Sequence, residues 1–132
     1  MIRTFIDAGI LIKAIRSQTS VAIEIIELLD DPDRQFLSTS LVELEVIPKA
    51  VYQKQKAETA FYREYFQTKA QRIPVDEALI QRAAERAMRL GLNALDSLHL
   101  EAAISAGADE FITTEKLTKP LFRESAIRVT SM

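Results

Sequence analysis

The chain has 132 residues, 48% of them apolar and 27% charged, the balance of one soluble globular domain (1–132) with an ordinary core. Seventeen basic and nineteen acidic side chains leave a net charge of −2, which excludes a strongly basic nucleic-acid coat protein. It does not exclude a nucleic-acid enzyme whose acids hold metal, whereas the lack of cysteine and the single histidine, His99, exclude disulfides, thiolate zinc sites, cysteine nucleophiles and multi-histidine metal centres.

Residues 2–6 (IRTFI) form a β-branched and aromatic run closed by Asp7-Ala8-Gly9, which predicts a first strand. Helices are expected over 10–16 and 20–30, the second with Val21, Ile25, Leu28 and Leu29 at helical spacing and Ser20 as its cap. Asp30-Asp31-Pro32-Asp33 reads as a turn and 35–38 as the second strand. A helix over 41–53, kinked at Pro48, precedes another over 56–70. Residues 72–75 read as a short edge strand because of Pro74. Two strong helices follow over 76–90 and 94–106, stopped by Gly91 and Gly107, the later one capped by Asn93. A strand at 110–113, a short helix over 115–123 and a strand at 127–130 complete the pattern. Such alternation implies a parallel sheet with helices on both faces. No apolar run approaches the roughly 20 residues of a membrane span, and Arg3 and Asp7 argue against a signal peptide, so a soluble cytoplasmic protein without membrane attachment is expected.

Acids fall where such sheets bind ligands, outside the carboxyl ends of the strands. Asp7 follows the first strand, Glu43 and Glu45 lie in the helix after the second, and Glu115 follows FITT. Asp96 opens the apolar helix NALDSLHLEAAISAG. Converging carboxylates with no opposing base repel and take up protons unless a cation relieves them. Hard oxygen ligands suit Mg²⁺ or Mn²⁺, which can activate water for in-line hydrolysis of a phosphodiester. Each acid also has a structural reading: Asp7 as a helix cap, Asp96 as the third residue of a capping box, Glu115 as a helix-dipole partner. Glu43 and Glu45 cannot share a helix face. Ser40 and Glu43 form a capping-box pattern, so Glu45 is preferred for the site, on the side expected to be buried with Leu41 and Leu44.

These residues resemble the PIN-domain family, the fold of VapC-type toxin ribonucleases. FIDAGILI looks like its first acid motif, STSLVELEVIPKA its second, and LNALDSLHLEAAISAGADEFITTEK its third and fourth. The resemblance covers nearly the whole chain and rests on the order and spacing of the motifs together. It implies an α/β/α sandwich around a mainly parallel sheet of four to five strands. It also implies that Asp7, Glu45, Asp96 and Glu115 hold Mg²⁺ or Mn²⁺ and cleave RNA, with a small antitoxin protein as partner and a homodimer as the assembly. Two departures from the family pattern stand out. Gly9 replaces the usual Asn, Ser or Thr two residues after the first acid, so Ser38 or Thr113 is expected to supply the missing hydroxyl. Glu115 stands where Asp is common. Together these keep a catalytically inactive PIN fold, serving as an RNA-binding or interaction module, as the alternative.

A phosphatase of the haloacid-dehalogenase type would need an acid at position 9, and a receiver domain an acid pair at the first strand; neither is present. His99, three residues after Asp96, reads as a structural histidine beside the site rather than a ligand. Phe61, Tyr62, Tyr65 and Phe66 lie among basic residues in a stretch, 46–91, with nine bases and five acids. They read either as core aromatics or as a stacking surface for single-stranded RNA. Lys116, Lys119 and Arg123 flank Glu115 and could meet phosphate oxygens.

Overall fold

Five short strands organise the protein in a computed structural model that describes residues 1–132. They are β1 (Ile2–Ile6), β2 (Arg34–Ser38), β3 (Ala70–Arg72), β4 (Glu110–Thr113) and β5 (Arg128–Ser131). All pair in parallel in the order β3-β2-β1-β4-β5. The six helices are α1 (Ala8–Arg16), α2 (Ser20–Leu29), α3 (Ser40–Tyr52), α4 (Lys56–Glu64), α5 (Glu77–Leu90) and α6 (Ala94–Ser105). The chain walks outward from β1 to β3, then returns past β1 to β4. Right-handed crossovers therefore put α1–α4 on one face and α5–α6 on the other. In accord with this, α1 packs on α2, α3 and α4, and α5 packs on α6. The result is the expected three-layer α/β/α sandwich with a five-stranded, wholly parallel sheet.

Because both faces of the sheet are covered, each inner strand carries a buried apolar pair that faces both ways. Phe5, Ile6, Phe36, Leu37, Phe111 and Ile112 are all buried, with Phe5 stacked on Phe111 at 5.3 Å. Tyr62, Tyr65 and Phe66 are buried too, and Tyr65 meets Phe36 at 6.1 Å. Those three aromatics are core, so they offer no stacking face to RNA. No helix is long and apolar enough to cross a membrane.

Several boundaries differ from expectation for identifiable reasons. Helix α1 starts at Ala8 rather than residue 10, because Asp7 caps it through the Ile10 N–H. Thr19, not Ser20, precedes α2 and makes no side-chain cap bond. Thr39, not Ser40, caps α3 by accepting from the Leu41 N–H at 3.2 Å, so the Ser40–Glu43 capping box does not form and Glu43 pairs with Arg72. Pro48 lies within α3 without ending it. The helix expected over 56–70 stops at Glu64 and widens into a π-turn at Tyr65–Lys69. That turn brings Ala70 opposite Phe36, so β3 runs over 70–72 instead of 72–75 and ends before Pro74, which has no N–H for a ladder. The helix expected over 115–123 is reduced to a 3₁₀ turn at Pro120–Arg123, which Pro120 opens at a first-turn position that needs no N–H. Helix α5 begins at the Asp76 cap and ends at Gly91, whose φ of 70° is the left-handed geometry that favours glycine.

A charged cluster ties the second helical layer together. Buried Glu101 accepts from Arg82 at 2.8 Å and from Arg86 at 2.7 Å, and Arg86 also pairs with buried Glu124. The two carboxylates stay ionised because guanidinium groups face them.

Candidate active site

All five strands point the same way, so their carboxyl ends share one edge of the sheet. Strand order reverses direction between β1 and β4, which opens a crevice there. Asp7 emerges from β1 into this crevice, its own N–H donating to the Ile112 carbonyl at 3.2 Å. Thr113, Thr114 and Glu115 emerge from β4 beside it, and Ser38 ends β2. Helix α3 contributes Glu45, and the first turns of α6 contribute Asp96 and His99.

Local contacts hold each group. Asp7 Oδ1 accepts from the Ile10 N–H at 3.4 Å, so its capping role and its place in the crevice coexist. Asn93 Oδ1 accepts from the Asp96 N–H at 2.9 Å. His99, only 3% exposed, lies against Phe5 with ring centres 5.8 Å apart and puts Nε2 3.1 Å from Glu45 Oε2. Glu45 reaches it from beside the buried Val42 and Val46, whereas Leu44 turns to solvent, contrary to expectation. The Thr113 hydroxyl accepts from the Glu115 N–H at 3.1 Å. From β5, Ser131 Oγ donates to the Glu115 carbonyl at 2.6 Å and the Met132 N–H donates to the Thr113 carbonyl at 2.8 Å.

The electrostatics link the four acids. Burial pushes the Asp7 carboxyl up to about 6, with Asp96 adding to the rise and Thr113, the Ile10 N–H and His99 opposing it. Asp96 is also raised, first by burial, then by the charges of Glu115 and Glu45. Asp96 is thus the hub through which Asp7, Glu45 and Glu115 feel one another. None of the four acids is ion-paired to a lysine or arginine, and His99, the partner of Glu45, opposes the rise in both Asp7 and Asp96. Glu43, by contrast, is committed to Arg72.

No three of the chain's His, Asp and Glu side chains are gathered tightly enough to hold an ion as they stand. The donor set nonetheless fits a hard divalent cation. It consists of carboxylates that repel one another, and His99 Nδ1 and Ser38 Oγ are buried without protein partners. A groove of about 510 Å³ between α3 and α4 is lined by Lys54, Lys56 and Arg63 but by no carboxylate, so it lies apart from this chemistry.

The PIN domain profile matches residues 4–117. Among solved structures, VapBC2 from Rickettsia felis, bound to a DNA fragment from its promoter, is similar with a TM-score of 0.72 at 16% identity, covering 99% of both chains. FitAcB from Neisseria gonorrhoeae is similar with a TM-score of 0.65 at 15% identity, covering 97% of this chain and 96% of that one. At such identities the likeness is one of fold. No curated protein sequence matches the chain.

Proposed function

Since the chain belongs to the PIN domain family, we propose that it is a metal-dependent ribonuclease whose Asp7, Glu45, Asp96 and Glu115 hold Mg²⁺ or Mn²⁺. The observation that carries this reading is the set of carboxylates at the β1–β4 crevice, buried enough to raise Asp7 and Asp96 and ion-paired to no lysine or arginine. Such a set is costly unless a cation joins it. A bound divalent ion would polarise a phosphoryl oxygen and supply a nucleophilic water. The protein's own part is positioning. Asp7 and Glu115 follow the ends of adjacent strands, Asp96 from α6 raises Asp7 and is itself raised by Glu115, and His99 orients the Glu45 carboxylate through Nε2. Lys116 and Lys119, in the loop after β4, are placed to neutralise phosphates of the substrate chain.

The decisive assay is cleavage of RNA with Mg²⁺ or Mn²⁺, with chelator, and with Asp96→Asn. Asp96→Asn keeps the Asn93 cap and the fold but should lose cleavage by at least two orders of magnitude. Folded protein that binds Mn²⁺ yet cuts no RNA would leave the inactive PIN module as the function. The same reading makes this chain the toxin of a toxin–antitoxin pair, a proposal the likeness to R. felis VapBC2 supports, and we propose further that it acts in the cytoplasm as a homodimer. Co-purification with the product of a neighbouring small reading frame, and sedimentation at twice the 14.9 kDa chain mass, are the checks. A monomer with no such partner would contradict that part alone.

A further inference from the structure

We propose that Thr114 is a positioning residue of the acid site, its hydroxyl occupying the place beside Asp7 that a side chain at position 9 would otherwise take. The proposal rests on the metal-site reading above. It starts from a glycine that the backbone does not require. Gly9 lies in the first turn of α1, and positive φ angles among the glycines occur only at Gly91 and Gly107. Glycine is a poor helix residue, so something other than conformation keeps it there. A Cβ built on Gly9 would lie 2.3 Å from Thr114 Oγ1, far inside any real contact, and 3.4 Å from Asp7 Oδ1. The Thr114 hydroxyl and the Asp7 carboxylate therefore flank one point, and only the missing side chain at position 9 lets the hydroxyl in.

The segment that carries Thr114 is fastened on both sides. The Thr113 carbonyl accepts from the Met132 N–H, and the Glu115 carbonyl accepts from Ser131 Oγ. Pinned in this way, the chain projects Thr114 across the first turn of α1. The other two hydroxyls at this edge are differently placed. Thr113 is committed to the Glu115 N–H and to Asp7, and Ser38 Oγ is buried without a partner. Thr113 thus already serves Asp7, as the sequence suggested, and Thr114 fills the separate place that Gly9 leaves open. There it can do what a methyl cannot: donate to a water that bridges to the Asp7 carboxylate or is carried by a cation on it.

The test measures Mn²⁺ affinity by calorimetric titration, alongside RNA cleavage, in wild type, Thr114→Val, Thr114→Ser, Gly9→Ala, the double variant Gly9→Ser with Thr114→Ala, and Asp96→Asn. Thr114→Val keeps the shape and should weaken Mn²⁺ binding about tenfold, while Thr114→Ser stays near wild type. Gly9→Ala should match Thr114→Val by evicting the hydroxyl, and the double variant should recover affinity by returning a hydroxyl from the other side. Unchanged affinity in Thr114→Val, or a double variant no better than Thr114→Val, overturns the proposal while leaving the metal site in place if Asp96→Asn still abolishes binding. A wild-type protein that binds no Mn²⁺ overturns both the proposal and the metal-site reading.

Discussion

Asp7 shows how one side chain carries two roles with opposite energetic signs. As the cap of α1 it stabilises the helix, and as a buried carboxylate it is raised from 3.8 to about 6. A raised acid binds its proton more tightly in the folded state. The stability this confers is fully present below the unfolded value and is lost as pH rises through about 6. A shift of this size corresponds to about 3 kcal/mol between the two protonation states. Asparagine caps a helix as well as aspartate does but carries no charge. In chelator, Asp7→Asn should therefore exceed wild type in stability by about 2–3 kcal/mol at pH 7.5 and match it at pH 4, measured by urea unfolding. A difference that does not change with pH would contradict the electrostatic account. The sequence could place Asp7 because strand ends and helix starts are local patterns. It could also separate Glu45 from Glu43 by helical angle. It assigned Glu43 to a capping box because the Arg72 partner lies on a strand 29 residues away, beyond any local pattern.

Helices α5 and α6 are held by more than their apolar stripes. Arg86, its side chain 12% exposed, is the cation shared by Glu101 and Glu124, which are buried at 5% and 3% side-chain exposure. Removing it strands two carboxylates in the interior, so Arg86→Met should cost about 3–5 kcal/mol of unfolding free energy. Arg82→Met removes a half-exposed partner of Glu101 and should cost less than about 1 kcal/mol. Equal losses from the two variants in denaturant unfolding would show that burial does not set the value of these pairs. Burial raises both acids, yet both lie below the ordinary glutamate range: hydrogen bonds from Arg82 and Arg86 lower Glu101, and those from the Ala126 N–H and Arg86 lower Glu124. Their contribution is present above the unfolded value and fades as pH falls through their lowered folded values. Charge counting along the chain could not single out this cluster. Its members are spread from α5 to the end of the 3₁₀ turn, and each alone looks like a surface residue. The same limit explains the π-turn at 65–69, which exists to bring β3 into register with β2.

Across the molecule, the four acids stand at one sheet edge with no ammonium or guanidinium ion-paired to them, so folding and cation binding should be linked. At a hundred times its dissociation constant, Mn²⁺ should add about 2.7 kcal/mol, a rise of about 10 °C in Tm for a domain of this size. Asp96→Asn should show no such rise in a thermal melt, and an equal rise in both proteins would place the ion elsewhere. The net charge of −2 takes on meaning here, because setting aside Asp7, Glu45, Asp96 and Glu115 leaves +2 for the rest of the chain. The order of strands and helices, the parallel sheet and the positions of the acids at strand ends were all legible from the residues, because periodicity, caps and handedness act over a few residues at a time. What only the folded chain decided is which distant groups become neighbours: His99 with Glu45, Arg86 with two buried glutamates, and Thr114 with the space left open by Gly9. Those pairings depend on how β4 lies against β1 and how α6 packs beneath them, and packing across a sheet is a property of the whole chain.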